Sequence, residues 1–188
     1  MAWIARTTAP DVSNKYYRHT GYEVSGTDGV NECLIINQNT GFVMPNCVGY
    51  SWGRWYEALG IRPDLSRGNA NTWYANTADG YARGRVPQLG AIACYSGNGT
   101  GHVAVIEELV NGQPPITSNS AYGGTLFWLE ALTYDPDTGD WNTRAPGYIF
   151  QGFIYPPLIP DRDPVWMLKQ AASRRLPNGR DKNAHLWR

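Results

Sequence analysis

The stretch "GAIACYSGNGTGHVAVIEEL", residues 90–109, holds two apolar runs separated by a short glycine-rich break. A break of that length cannot house the crossover that parallel strands need, so the runs read as antiparallel neighbours in a sheet. Runs of the same kind follow in "PITSNS" (115–120), "TLFWLEALTY" (125–134) and "YIFQGFIY" (148–155), at the spacing of a meander. Upstream, the period changes. Val48, Trp52, Trp55 and Leu59 recur at helical spacing, Asn46 stands where an N-cap belongs and Gly60 supplies a stop, which predicts a helix over about 47–59. A second short helix is expected around Ala70 to Ala78. Helices followed by a sheet give an α+β class, with N-terminal helices packed on an antiparallel sheet of about five to six strands.

The flanks differ from this core. Residues 1–44 carry the turn clusters "TGYEVSGTDGVNE" and "NQNTG" around one short apolar run, "CLII", and read as an entry segment that contributes one strand and wraps the main domain, 45–157. Beyond it, 158–188 holds seven Lys or Arg against three Asp; Asp163 and Pro164 are placed to start a helix "VWMLKQAASRR" ahead of a basic tail.

Composition narrows the class of function. With 188 residues, 42% of them hydrophobic, the chain buries a core without needing disulfide or metal staples. Sixteen basic residues balance sixteen acidic ones, so no overall field draws the protein to nucleic acid or to an anionic membrane. The first residues, "MAWIARTTAP", lack the apolar core of a signal peptide, and no run approaches a membrane span. Three cysteines at 33, 47 and 94 match no zinc spacing, which leaves room for one functional thiol among buried ones.

Cys47 is open to two readings: a small core residue, or a nucleophile whose thiol pKa is lowered by the N-terminus of the helix it opens. Cys33 and Cys94 sit in apolar runs and read as core. A cysteine nucleophile needs a base, and of the three histidines His19 lies in an aperiodic segment and His185 in the tail. His102 opens a strand apolar on both faces, where a ring is held firmly yet reaches the surface. Asn119 lies one hairpin later, after an "NG" turn at 111–112. Antiparallel pairing of Ile116–Ser120 with Gly101–Ile106 brings it near His102, where it could orient the imidazole or simply close a turn.

Five motifs in order, "NCVGYSWGRWYE", "GNANTW", "VPQLGAIACYSGNGTGHVAVIEE", "ITSNSAYGG" and "YIFQGFIYPP", resemble the CHAP domain, the cysteine- and histidine-dependent amidohydrolase/peptidase of phage and bacterial wall hydrolases. "NKYYRHTGY" also looks like the lead-in of phage-encoded members. The resemblance implies a papain-like core, Cys47 as nucleophile, His102 as general base and Asn119 as the orienting residue. It further implies peptidoglycan as substrate, cut at the N-acetylmuramoyl–L-alanine bond or at a stem or cross-bridge peptide bond. The setting implied is a phage endolysin or tail lysin, held in the host cytoplasm until release or carried on the virion tail, with other lysin or tail subunits as partners. Rival expectations are a wall-binding or tail module without turnover, and a papain-like amidase on a small peptide conjugate.

The family pattern is not matched throughout. A Glu position of many members falls on Asn119 and a later Asn position on Ala121, so the imidazolium is expected to lack a carboxylate partner. Trp52, Trp73 and Tyr122 are candidates to line a substrate groove, weighed against a core role. Some relatives bind calcium, but "DPDTGDWN" (135–142) departs from the EF-hand spacing and reads as a hairpin turn, so no metal site and no cofactor is expected.

Overall fold

Asn46 decides where the helix starts. In the computed structural model, which describes residues 3–11, 13–17, 21–22, 34–35, 45–66 and 68–157, its backbone is extended and its side chain accepts the Gly49 N–H at 2.7 Å. That bond satisfies one of the free N–H groups of helix α1 (Cys47–Leu59). Gly60, at φ 71°, closes the other end by donating to Tyr56 O at 2.8 Å. The described residues fall within one unit, Trp3–Pro157. Cys33, His19, His185 and the expected tail helix lie outside them.

Of the expected apolar stripe of α1, Trp52, Trp55 and Leu59 are buried and Val48 is half-buried, but Tyr50, Ser51, Gly53 and Arg54 are buried too. A second layer covers the helix: a side-chain carbon on Gly53 would stand 2.7 Å from the Tyr17 ring and 2.9 Å from Tyr16 O. Only a glycine lets the chain around 16–17 lie that close.

Ahead of the helix, β1 (Gly21–Tyr22) and β2 (Leu34–Ile35) form a short parallel pair, the second within the "CLII" run. The main sheet is built from β3 (Arg83–Gly84), β4 (Ile92–Gly97), β5 (His102–Glu108), β6 (Ile116–Asn119) and β7 (Trp128–Ala131). After the separate hairpin β8 (Thr133–Asp135) and β9 (Asp140–Asn142), the sheet is completed by β10 (Tyr148–Ile154). Its order is β3-β10-β4-β5-β6-β7 with every pairing antiparallel. The α+β class therefore holds, with six strands.

Three expectations change. The meander runs only from β4 to β7. Its last strand, β10, returns between β3 and β4, where Phe150, Phe153 and Ile154 become buried. "TLFWLEALTY" is two strands in different sheets, broken at Leu132, which packs into a cluster with Tyr95, Ile106 and Phe150. The second helix is replaced by two 3₁₀ turns, Ala70–Thr72 and Thr77–Asp79. There Thr72 donates to Asn69 O and Asn76 accepts from Ala78 N, side-chain bonds that compete with helix propagation. The turn expected over 135–142 is the β8–β9 connection.

β5 carries the buried centre, with His102 to Glu107 all enclosed. Opposite β6 it is bulged between Ile106 and Glu108, leaving Glu107 as the extra residue. Glu107 meets Arg54 of α1 in a two-pronged ion pair, Nε–Oε1 2.8 Å and Nη2–Oε2 2.9 Å, with both side chains enclosed. Ser118 (2.6 Å), Trp3 Nε1 (3.0 Å) and Arg6 N (2.9 Å) also donate to that carboxylate, and Tyr50 donates to Ser118. A second carboxylate, Glu57, holds Arg6, Asn14 and Tyr17. The apolar reading of the helix gave no sign of this polar layer. No helix among the described residues is long and apolar enough to cross a membrane.

Removing one partner of an enclosed ion pair strands the other charge. Arg54→Ala is expected to cost about 3–5 kcal/mol, read as a lower urea midpoint at unchanged slope.

Candidate active site

Cys47 is the first residue of α1 and retains 8% of its surface, while Cys94 in β4 retains none. The Cys47 thiol interacts with the backbone N–H groups of Val103, Val48 and Cys47 itself. Val103 follows His102, so the start of the helix and the start of β5 meet here. The expected lowering of the thiol pKa is not found: burial pushes it up, and the three N–H groups offset only part of that. Removing the sulfur from water outweighs the helix end.

His102 retains 6% of its surface. Its entry depends on Gly101, at φ 78°, where a side-chain carbon would stand 2.4 Å from Tyr95 O and 2.7 Å from Asn71 N. Asn71 N in turn donates to Thr100 O at 2.8 Å, so the first 3₁₀ turn, within the "GNANTW" region, clamps the loop ahead of the histidine.

Asn119 stands where the hairpin reading puts it. Pairing of Val105 with Ser118 and of Ile106 with Thr117 makes His102 and Asn119 diagonal neighbours on one face, and His102 Nε2 lies 3.0 Å from Asn119 Oδ1. The amide's orientation is fixed by chemistry. Asn119 Nδ2 faces Thr117 O (3.2 Å) and Thr117 Oγ1 (3.0 Å); a carbonyl can only accept, so the amide nitrogen belongs there and Oδ1 faces the ring. In the neutral ring the proton therefore sits on Nε2, and Nδ1 keeps its lone pair. Ser120 completes the junction by accepting Asn46 N at 3.0 Å, which ties the helix cap to the end of β6.

Burial lowers the His102 pKa, partly opposed by the bond to Asn119 and by the charge of Glu130. With the thiol raised and the imidazole lowered, the resting pair is thiol and neutral imidazole at neutral pH. Three rings surround the imidazole: Trp128 at 5.9 Å and 14°, Tyr148 at 5.6 Å and 43°, and Tyr95 at 6.4 Å and 29°.

Sequence reasoning missed two residues here. Thr117, fully buried, holds the Asn119 amide. Glu130 is a nearly buried carboxylate whose charge partly opposes the effect of burial on His102, while the partner bonded to the ring is the neutral Asn119 amide that the sequence places there. The signal for Glu130 was available: in β7, Trp128 and Glu130 are two apart, and Trp128 pairs with Asn119, which puts both on the histidine's face.

Of the candidate groove residues, Trp73 is wholly enclosed and donates its indole N–H to Gly68 O at 3.1 Å; Trp52 is enclosed against Tyr56. Both have the burial of core residues. Tyr122, 74% exposed, stands on the loop three residues past Asn119. Asp135, Asp137 and Asp140 belong to the β8–β9 hairpin, and among the described residues no group of three or more His, Cys, Asp or Glu is placed to hold a metal ion.

Alkylation of Cys47 by iodoacetamide is expected to accelerate about tenfold per pH unit through neutral and mildly alkaline pH, as thiolate forms. Cys94, fully buried with its thiol likewise pushed up by burial, stays unlabelled in native protein. A Cys47 rate already level near pH 7 would instead mean a resting thiolate–imidazolium pair.

The family described as CHAP domain matches residues 36–120, a span containing Cys47, His102 and Asn119. No curated protein matches the chain. Among solved structures, an N-acetylmuramoyl-L-alanine amidase from Staphylococcus aureus is similar at 17% identity and a TM-score of 0.42. That match covers 59% of this chain and 31% of the other, so the chain corresponds to about a third of that protein. The stretch that carries α1 and β3 to β6, a little under half of the chain, is thus similar to a CHAP domain.

Proposed function

We propose that this chain is a peptidoglycan hydrolase that cuts an amide bond by thiol chemistry, with Cys47 as nucleophile, His102 as general base and acid, and Asn119 as the residue that orients the imidazole. The observation carrying this reading is the His102–Asn119 hydrogen bond, which leaves Nδ1 unprotonated on a ring one residue from the backbone N–H that the Cys47 thiol approaches. The CHAP match over the same residues supports the substrate class.

The chemistry balances within these groups. His102 Nδ1 takes the thiol proton as Sγ attacks the scissile carbonyl carbon. Negative charge on the carbonyl oxygen is met by backbone N–H groups at the start of α1. The imidazolium then gives its proton to the leaving amine, and the C–N bond breaks to leave a thioester. Water attacks the thioester carbon, losing a proton to His102, and the thiol re-forms as the carboxylic acid departs. Burial raising the Cys47 pKa makes the first proton transfer part of the chemical step rather than a preceding equilibrium.

The finer setting, a phage endolysin or tail lysin acting with other lytic or tail subunits, rests on the likeness of the "NKYYRHTGY" lead-in. The N-acetylmuramoyl–L-alanine bond and the stem or cross-bridge peptide bonds are both within reach of this mechanism. Mass spectrometry of digested walls separates them, since cleavage at the first exposes an L-alanine amino terminus.

Cys47→Ala is expected to abolish clearing of purified cell walls while keeping the melting temperature; a variant that still clears them would sink the thiol mechanism. Asn119→Ala is expected to lower kcat by about ten- to a hundredfold, while the lost hydrogen bonds cost roughly 1–3 kcal/mol of stability. Turnover and denaturation measured on the same preparation check the two effects together.

A further inference from the structure

We propose that Glu130, a positioning residue on the strand beyond Asn119, is the anion that supports the His102 imidazolium, acting across the ring of Trp128. This rests on the reading of His102 as the base of the reaction.

Geometry carries the proposal. Glu130 retains 7% of its surface and accepts three hydrogen bonds, from Trp128 Nε1 at 3.1 Å, Thr143 Oγ1 at 2.6 Å and Arg144 N at 2.5 Å. Those donors hold the carboxylate below the usual Glu range, so it is charged wherever the histidine titrates. No Lys or Arg pairs with it among the described residues, and its charge and that of His102 act on each other. A nearly buried anion without a cationic side chain opposite it is costly. Here the counter-charge arrives when His102 takes a proton.

Trp128 contacts both residues. Its ring lies within 14° of parallel to the imidazole, and its N–H points to the carboxylate. An indole whose N–H donates to an anion becomes more electron-rich, which strengthens the attraction of its face for a cation. Asn119 thus fixes the tautomer with a neutral amide, while the charge comes from one strand further on. The other titratable groups around the ring do not supply it: Tyr95 on β4 is kept protonated by burial, Cys47 on α1 has a raised pKa, and Tyr148 on β10 presents its ring.

The test is a pair of NMR titrations without substrate. In Glu130→Gln, the His102 imidazole, assigned by the signal lost in His102→Ala, is expected to titrate lower by roughly half a unit or more. An unchanged titration overturns the proposal. The second needs no variant at Glu130: in the unaltered protein its carboxyl carbon is expected to show an inflection at the pH where His102 titrates, absent in His102→Ala. A flat trace there overturns the proposal even if Glu130→Gln fails to fold. On cell walls, Glu130→Gln is expected to lower kcat roughly tenfold at unchanged KM, since an imidazolium forms only after substrate is bound. Failed titrations would remove the role of Glu130 and leave Cys47 as nucleophile untouched, whereas an active Cys47→Ala variant would remove the thiol mechanism and leave the titrations standing.

Discussion

The enclosed pair of Arg54 and Glu107 is the constraint on which the rest is hung. Glu107 is the bulged residue of β5, five positions past His102, and Arg54 lies two turns past Cys47 on α1. Their two-pronged bond fixes the helix along the strand. A helix slipped by one turn would separate the two enclosed charges from each other, at a cost no surface contact could offset. Cys47 therefore comes to the start of β5 because a charge pair elsewhere on the same two elements permits only one register. The same carboxylate takes donors from Trp3, Arg6 and Ser118, so the entry segment and β6 are referenced to it too.

Around the candidate site, burial and polarity oppose each other. Cys47, His102 and Asn119 retain 8%, 6% and 2% of their surfaces, which raises the thiol pKa and lowers that of the imidazole. In the proposed reaction, a site so enclosed starts from its neutral form and must create charge as the reaction proceeds. The surroundings answer this with fixed groups: N–H groups at the helix start for the sulfur, an amide for Nε2, aromatic faces and a carboxylate around the ring. These groups are held in place before substrate arrives, so they need not reorganise as charge develops.

Much of this was legible in the residues. Asn46 and Gly60 mark both ends of α1 because a cap side chain and a left-handed glycine act locally, without help from the rest of the fold. The hairpins from β4 to β6, and with them the closeness of His102 and Asn119, follow from alternation and turn residues, also local signals. Less was legible where partners lie far apart in sequence. Arg54 and Glu107 are 53 residues apart, and Glu130 is 28 past His102 on a strand whose face is set only by its register with β6. The return of β10 to the far side of β4 depends on which sheet edge remained open.

The sequence by itself determined the helix and its boundaries, the antiparallel order of the central strands, and the three residue types gathered at the site, since each depends on periodicity, capping or turn chemistry within a few residues. Only the tertiary structure decided the protonation of that site. Whether Cys47 rests as thiol or thiolate turns on the balance between a helix end and lost solvent, and the lost solvent wins because the start of α1 is enclosed against the start of β5. The charge opposite His102 was likewise decided by folding, because a carboxylate two strands away becomes a neighbour only when the sheet is assembled.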